Sequence, residues 1–478
     1  MKKKIAYFVT LLFWPCVLTA EEIKVPDDHA AIQAAIDASS AGDTIVVAPG
    51  IYGERIRLKP GISLRSAGGD EPGKQGLLRA EATIIDGGGE SGDSPGVTMA
   101  DGATLNGFTI TNVGKYDEAK WQKHWDERGA NQSHEHIGNF GVPGIAITGI
   151  DCTVSHNIVH HVGATGIAIR GEEGKRCAPL VSANISYRNM GGGIGSMAGS
   201  TAMIDANICF ENFYAGIGHD NASPLVTGNK CYNNVRAGIG ISEGASPVVR
   251  GNYCYGNRRA GIGIRTGKET RPVIEDNDCH KNGMAGIGSE EKAAPVIRGN
   301  RCYNNALAGI GCRDHSSALI VENHCFENKA AGIGVESANA ILLRNRVEKN
   351  QTAGIGISGA SNVQAIGNTC TENKLVAVGI PNGGEALLQN NTLTRTGGMP
   401  PIVAILGGSK AVLLGNTIEG GGVAGVMLDG ELTAISNMIT GKKGGSGILL
   451  RGKSKVTSED NHITGYRTEV NDQRPGEE

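Results

Sequence analysis

Large rings are scarce in this chain. Aromatic residues make up 4 % of it, with three Trp, ten Tyr and seven Phe among 478 positions. That argues against a compact core built on aromatic packing. Beyond the first twenty residues no apolar run approaches the ~20 residues a bilayer span requires. Neither sign of charge dominates: 45 Lys and Arg against 48 Asp and Glu leave −3, whereas a nucleic-acid binder would carry a basic patch or domain. Proline is limited to 16 residues, so glycine and proline together stay below the roughly 25–30 % of low-complexity chains. Glycine itself is abundant at 73 residues, about twice its usual ~7 %. Few rings and much glycine point to a repetitive, thin-cored β protein.

The N-terminus reads as an export signal. Lys2, Lys3 and Lys4 form a basic start, Ile5 to Leu18 is an apolar run, and Thr19-Ala20 offers a small-residue cleavage point. Cys16 follows Trp14-Pro15, a poor setting for lipid attachment, so cleavage is expected near Ala20. The mature protein is expected to be soluble, without a stable membrane span, in the periplasm or outside the cell.

From Asn207 onward one pattern recurs: Asn-x-Cys-x-x-Asn, then Ala-Gly-Ile-Gly, a polar turn and a short apolar strand. The pairs are Asn207/Cys209, Asn229/Cys231, Asn252/Cys254, Asn277/Cys279, Asn300/Cys302, Asn323/Cys325 and Asn368/Cys370, with Asn345/Val347 between the last two. Successive Asn positions differ by 22, 23, 25, 23, 23, 22 and 23 residues. A weaker ladder runs back through Asn184, Asn157 and Asn106 and forward through Asn391, Asn416, Asn437 and Asn461. Three short runs per repeat, such as Pro247–Arg250, Tyr253–Tyr255 and Gly261–Ile264, are each too short for a helix. They suit one turn of a parallel β-helix. Asn tolerates the left-handed backbone of a tight corner and can bond to a neighbouring turn. About fifteen rungs stacked ~4.8 Å apart predict a rod roughly 70 Å long.

These repeats resemble the right-handed parallel β-helices of the pectin-lyase-like superfamily. They are most similar to carbohydrate-binding and sugar-hydrolase (CASH) repeats and to NosD-like periplasmic proteins. Ile32–Ile36, followed by Gly42–Gly50, resembles the capping helix and first strand of that superfamily. The resemblance covers residues 23–465 and implies an all-β, right-handed parallel β-helix with a short N-terminal capping helix. With the export signal over 1–20, the expected division is a cap and first coils over 21–105 and repeats over 106–467 with an inserted loop at 114–142. A polar, frayed tail follows over 468–478. The fold hosts lyases, hydrolases, epimerases and non-catalytic binders, so it does not fix the activity.

Repetition places like residues in columns. Six successive rungs carry Cys at one position with parallel Cβ vectors ~4.8 Å apart, too far for the usual ~3.8 Å of a disulfide. A buried thiol stack is expected, with Cys152 and Cys177 the one plausible bridge and Cu(I) binding as the alternative. Gly218, Gly240 and Gly263 face outward as a smooth strip. Two residues further on stands a polar column: Arg170, Asp220, Ser242, Arg265, Glu290, Arg313, Glu336 and Ser358. It is either a cross-strand ion-pair ladder or a site where Arg170, Arg265 and Arg313 hold the carboxylates or sulfates of an acidic glycan. His219 shares the inward parity of Ile241 and Ile264 and is expected to be semi-buried at a strand end.

One rung breaks the pattern. An insert at 114–142 holds Trp121, Trp125, His124, Asp126, Glu127, Arg128, His134, Glu135 and His136. The next coil adds His156, His160 and His161. A long loop in a compact repeat protein is commonly functional, and by the resemblance such loops wall a glycan cleft. Trp121 or Trp125 would then stack on a sugar, with Arg128 or Arg170 neutralising a carboxylate. Two chemistries fit. In one, a histidine among His134, His136, His160 and His161 draws the proton α to a uronate carboxylate, giving an unsaturated sugar or an epimer. In the other, those histidines, with Asp126, ligate a divalent Zn or Cu ion. A hydrolase would pair Asp126 with Glu135 or Glu127. The chain has no Asp-Pro-His-Asp motif of the alginate epimerases and no calcium-binding aspartate set with a catalytic Arg, as in pectate lyases. The expectation is a protein that binds and modifies an acidic polysaccharide. The alternative is a NosD-like metal handler or a non-catalytic scaffold.

Overall fold

A computed structural model describes residues 20–127 and 141–475 of the chain. The chain winds as a parallel β-solenoid whose rungs contribute to three sheets of eighteen, seventeen and seventeen strands. Around one rung, Val248–Arg250 belongs to the first sheet, Tyr253–Tyr255 to the second and Ile262–Ile264 to the third. The steps from rung to rung are parallel and in register, as in Ile239↔Ile262 and Cys231↔Cys254, apart from a shift between Asp86 and Gly89 in the second sheet. The rod has more rungs than the fifteen expected. Its first coils, through Glu22–Val25, Thr44–Val47 and Ser63–Ser66, pair normally without the Asn signature. At the other end Thr468–Asp472 is no frayed tail, because it pairs as a strand with Ser446–Leu450.

The core is a thin apolar strip. Ile217, Ile239, Ile262, Ile287 and Ile310 are fully buried, as are Cys209, Cys231, Cys254, Cys279, Cys302 and Cys325. All ten cysteines of the described residues are unbridged, Cys152 and Cys177 included. Burial raises the thiols of Cys152, Cys177, Cys231 and Cys302, and it carries Cys312 and Cys370 to about 12. The column is therefore packing, not a store of reactive thiolate.

Asparagine ladders hold the corners, though not as expected. The left-handed residue is the one before each ladder Asn, for example Asp276 at φ 57° and Glu322 at φ 56°. That shift turns the Asn side chain inward. Asn277 Nδ2 donates to Asn300 Oδ1 at 2.9 Å and to the Val249 carbonyl at 3.0 Å, and the Asn277 N–H also donates to Asn300 Oδ1 at 2.9 Å. A second ladder, including Asn212, Asn234, Asn257 and Asn282, does the same at the next corner. Each bond is worth about 0.5–1.5 kcal/mol net.

Among the described residues three short helices decorate the rod: α1 (Ile32–Ala38) caps its start, α2 (Leu78–Ala82) lies on the second sheet, and α3 (Glu118–Asp126) opens the insert. No helix among the described residues is long and apolar enough to cross a membrane. The second sheet carries an external ring stack that runs His160, Tyr187, Phe210, Tyr232, Tyr255, His280, Tyr303 and Phe326. Its centroids are 4.7–5.2 Å apart. Much of the chain's small aromatic content thus stands in one register column, while Phe108, Phe213 and Trp121 are buried.

Candidate functional site

The third sheet carries two glycine columns that behave differently. At the corner end of each strand, Gly216, Gly238, Gly261, Gly286 and Gly309 sit against the next rung. A Cβ at Gly238 would lie 2.7 Å from the Gly261 carbonyl oxygen and 2.8 Å from Asn257 Nδ2. The winding itself demands glycine there. Two residues on, Gly218, Gly240, Gly263, Gly288, Gly311, Gly334 and Gly356 face outward. A Cβ at any of these would meet nothing closer than 3.5 Å. Their φ angles are ordinary for a strand, and glycine in mid-strand costs roughly 0.5–1 kcal/mol against alanine. Nothing in the fold requires that cost seven times over. Glycine inside a strand often stands where a ligand or another backbone approaches closely, and here the space above it is open.

Above this floor runs a groove of about 500 Å³, from Thr165 to Pro381. One wall is the residue before each Ala-Gly-Ile. Tyr214, Arg236, Arg259, Met284, Leu307 and Ala330 are joined rung to rung by N–H to carbonyl bonds, as in Arg259 to Arg236 (3.1 Å) and Leu307 to Met284 (3.2 Å). The other wall is the expected polar column, Asp220, Ser242, Arg265, Glu290, Arg313 and Glu336. Here Arg313 Nε donates to Glu290 Oε2 at 2.6 Å. Arg236 and Arg259 are 6 % and 9 % exposed, and the Arg236 guanidinium lies 5.0 Å over the Tyr214 ring. Burial lowers the Arg259 pKa from its ordinary value; Glu290 opposes that shift, and Arg236, Arg313 and Arg265 add to it. Four arginines thus bear on one stretch of groove, an arrangement suited to carboxylate or sulfate groups.

The insert reaches the groove indirectly. Asp117 caps α3 by accepting from the Lys120 N–H at 2.9 Å, and the helix lays its rings on the corner behind the first wall. Trp121 is 2 % exposed, donates from Nε1 to the Glu211 carbonyl at 2.7 Å and clusters with Phe213 and Val235. Trp121 and Trp125 stack at 5.2 Å. Arg188 covers the outer face of this stack on Trp121 at 3.9 Å, and Arg258 lies over Trp125 at 3.8 Å. The expected sugar platform is instead an Arg-Trp-Trp-Arg clamp. It braces Phe213, Val235 and Arg258, the neighbours of Tyr214, Arg236 and Arg259.

The remaining sequence candidates scatter. His160 lies on the second sheet opposite Thr111, its Nδ1 2.8 Å from His161 Nδ1 and 3.2 Å from Thr111 Oγ1. Burial first, then His161, lowers it to about 4. His161 packs edge-on against Tyr116 at 4.6 Å, and burial and Arg188 lower its pKa as well. The pair holds the root of the insert. Asp126 is exposed at the end of α3 and accepts from Gln122 at 3.0 Å. Arg170 stands in the polar column beyond the groove, against Met197. His219 lies under the floor, 3 % exposed, with Nδ1 2.7 Å from Ser196 Oγ; burial lowers it to about 3. Arg128, His134, Glu135 and His136 lie outside the described residues. Among the described residues no group of three or more His, Cys, Asp or Glu gathers as a metal site. Sequence reasoning passed over Tyr214, Arg236 and Arg259. The position before Ala-Gly-Ile was their signal.

The sequence matches the family model of the right-handed β-helix region over residues 131–271 and 262–393, more than half of the chain. The chain belongs to this family. Other right-handed β-helices among solved structures are similar to it. The periplasmic alginate epimerase AlgG aligns at 14 % identity over 77 % of this chain and 83 % of its own, with a TM-score of 0.44. The A-module of the mannuronan C-5 epimerase AlgE6 from Azotobacter vinelandii aligns at 16 % over 95 % and 97 %, with a TM-score of 0.38. The receptor-binding tailspike protein of bacteriophage Det7 aligns at 12 % over 81 % and 75 %, with a TM-score of 0.43. At these identities the likeness is one of fold alone. No curated protein matches the sequence.

Proposed function

We propose that this β-helix protein binds a linear acidic polysaccharide lengthwise along the third sheet. The observation that carries the reading is the outward glycine column, which the fold does not need and which lets an extended chain lie against the backbone. The arginines of both walls supply the charge that favours carboxylates or sulfates. The proposal includes export, directed by the basic and apolar segment at residues 2–20, and modification of the bound glycan by histidine-assisted proton abstraction. The abstracting base would come from His134 or His136 of the insert, because His219 points into the core and His160 stands on the second sheet.

The test incubates purified protein with pectic, alginate, sulfated and neutral polysaccharides. Retention of an acidic member, weakened by salt and by Arg259→Ala, is the expected result. Mass spectrometry and NMR of the same mixtures would detect unsaturated or epimerised products, which His134→Ala or His136→Ala should abolish. Equal retention of neutral and acidic glycans, or none at all, would defeat the proposal.

A further inference from the structure

The first wall of the groove changes chemistry halfway. Tyr214, Arg236 and Arg259 give way, rung by rung in the same backbone ladder, to Met284, Leu307 and Ala330. Leu307 is 46 % exposed although it lines the groove. Opposite it the one strong cation, Arg313, is engaged by Glu290. The floor under this half is Gly288, Gly311 and Gly334, flanked by Ala285, Ala308 and Ala331. Among the described residues the α3 clamp lies behind the arginine half, with Arg258 over Trp125. An anionic sugar chain gains little from the second half, where the first wall is aliphatic and the Arg313 charge is already met by Glu290.

Resting on the polysaccharide reading above, we propose that the groove is divided. The Arg236–Arg259–Arg265 end holds an anionic group, and the Met284–Leu307–Ala330 end holds an acyl ester carried by a neighbouring sugar of the same chain. Arg259 and Leu307 are two rungs apart, about 10 Å along the rod, a separation that places the two groups on adjoining or next-but-one sugars. The ligand class is thus an O-acylated acidic polysaccharide. The glycine floor leaves height for an ester that a floor of larger side chains would exclude.

The test uses alginate, polygalacturonate and a sulfated glycan, each before and after light O-butyrylation, with binding measured by calorimetry. Butyrylation of at least one should tighten binding about tenfold, the yield of a few methylenes taken from water. Leu307→Asp or Met284→Gln should bring the ratio of parent to butyrylated Kd back towards one. Ile341→Asp, at an exposed residue of the first sheet, should leave that ratio unchanged. Binding of the parents without any gain on butyrylation overturns the divided groove and leaves the polysaccharide reading standing. A gain that survives both groove variants overturns it too. Failure of every glycan, acylated or not, overturns both.

Discussion

Gly261 and Gly263 stand two residues apart on one strand, and their surroundings give opposite reasons for glycine. At Gly261 an added methyl would lie 2.6 Å from the Gly286 carbonyl oxygen; at Gly263 its nearest neighbour would be the Ala237 Cβ at 3.8 Å. One glycine belongs to the winding of the rod and the other to whatever lies on it. On the proposed reading the repeat writes a structural rule and a binding surface side by side in the same four letters. A sequence pattern alone gives both columns equal weight.

The largest expected effect breaks the structural member. Gly261→Ala should cost about 3 kcal/mol or more, because the clash is with backbone of the next rung and cannot be relieved by a rotamer. Urea unfolding would read this, and a loss under 1 kcal/mol would remove the distinction. Beneath the floor, His219 is held neutral by burial, its folded pKa about 3 against an ordinary 6.5. A depressed histidine contributes fully above about pH 6.5 and loses that contribution as pH falls towards 3, because the unfolded chain takes the proton first. Wild-type stability should drop by a few kcal/mol between pH 7 and 4 through this group, and His219→Ile should flatten that part of the curve. Parallel pH profiles for the two proteins would clear His219 of the role.

Trp121→Ala removes the centre of the clamp and should cost about 3 kcal/mol locally. Hydrogen exchange should rise around Phe213 and Val235, and glycan affinity should fall because the arginine wall loses its backing. Unchanged exchange there would separate the insert from the groove. The smallest stability effect belongs to the open column. Gly263→Ala should be neutral or stabilising by up to about 1 kcal/mol, whereas Gly263→Val should weaken glycan binding about tenfold at unchanged melting temperature. If Gly263→Val binds as wild type, the groove floor is not a contact surface.

Much of the fold was legible because it is periodic. A 22–25-residue spacing of Asn and Cys fixes the rung, and parity along three-residue strands then fixes which side chains point out. The buried thiols and the polar column both follow from that arithmetic. What the period could not convey is contact between distant rungs through a non-repeating piece. Trp121 bonds to the Glu211 carbonyl ninety positions away, and Arg188 and Arg258 close the stack from different rungs. A tryptophan in an insert reads as ligand-facing until its partners are known. Likewise the left-handed corner fell to the residue before each Asn, since the Asn side chain earns more hydrogen bonds turned inward than it would shaping the turn.

The unbroken register of the third sheet has one further consequence. Because each rung adds one floor glycine, one residue to each wall and about 4.8 Å, the groove works as a ruler graduated in rungs. Duplicating residues 284–306, one full repeat of 23 positions, would lengthen it by a single graduation without altering its cross-section. Deleting the same stretch would shorten it by one. The length of the groove is therefore set in whole steps by gene duplication, and the chemistry of its first wall is set separately, by which residue each copy places before Ala-Gly-Ile.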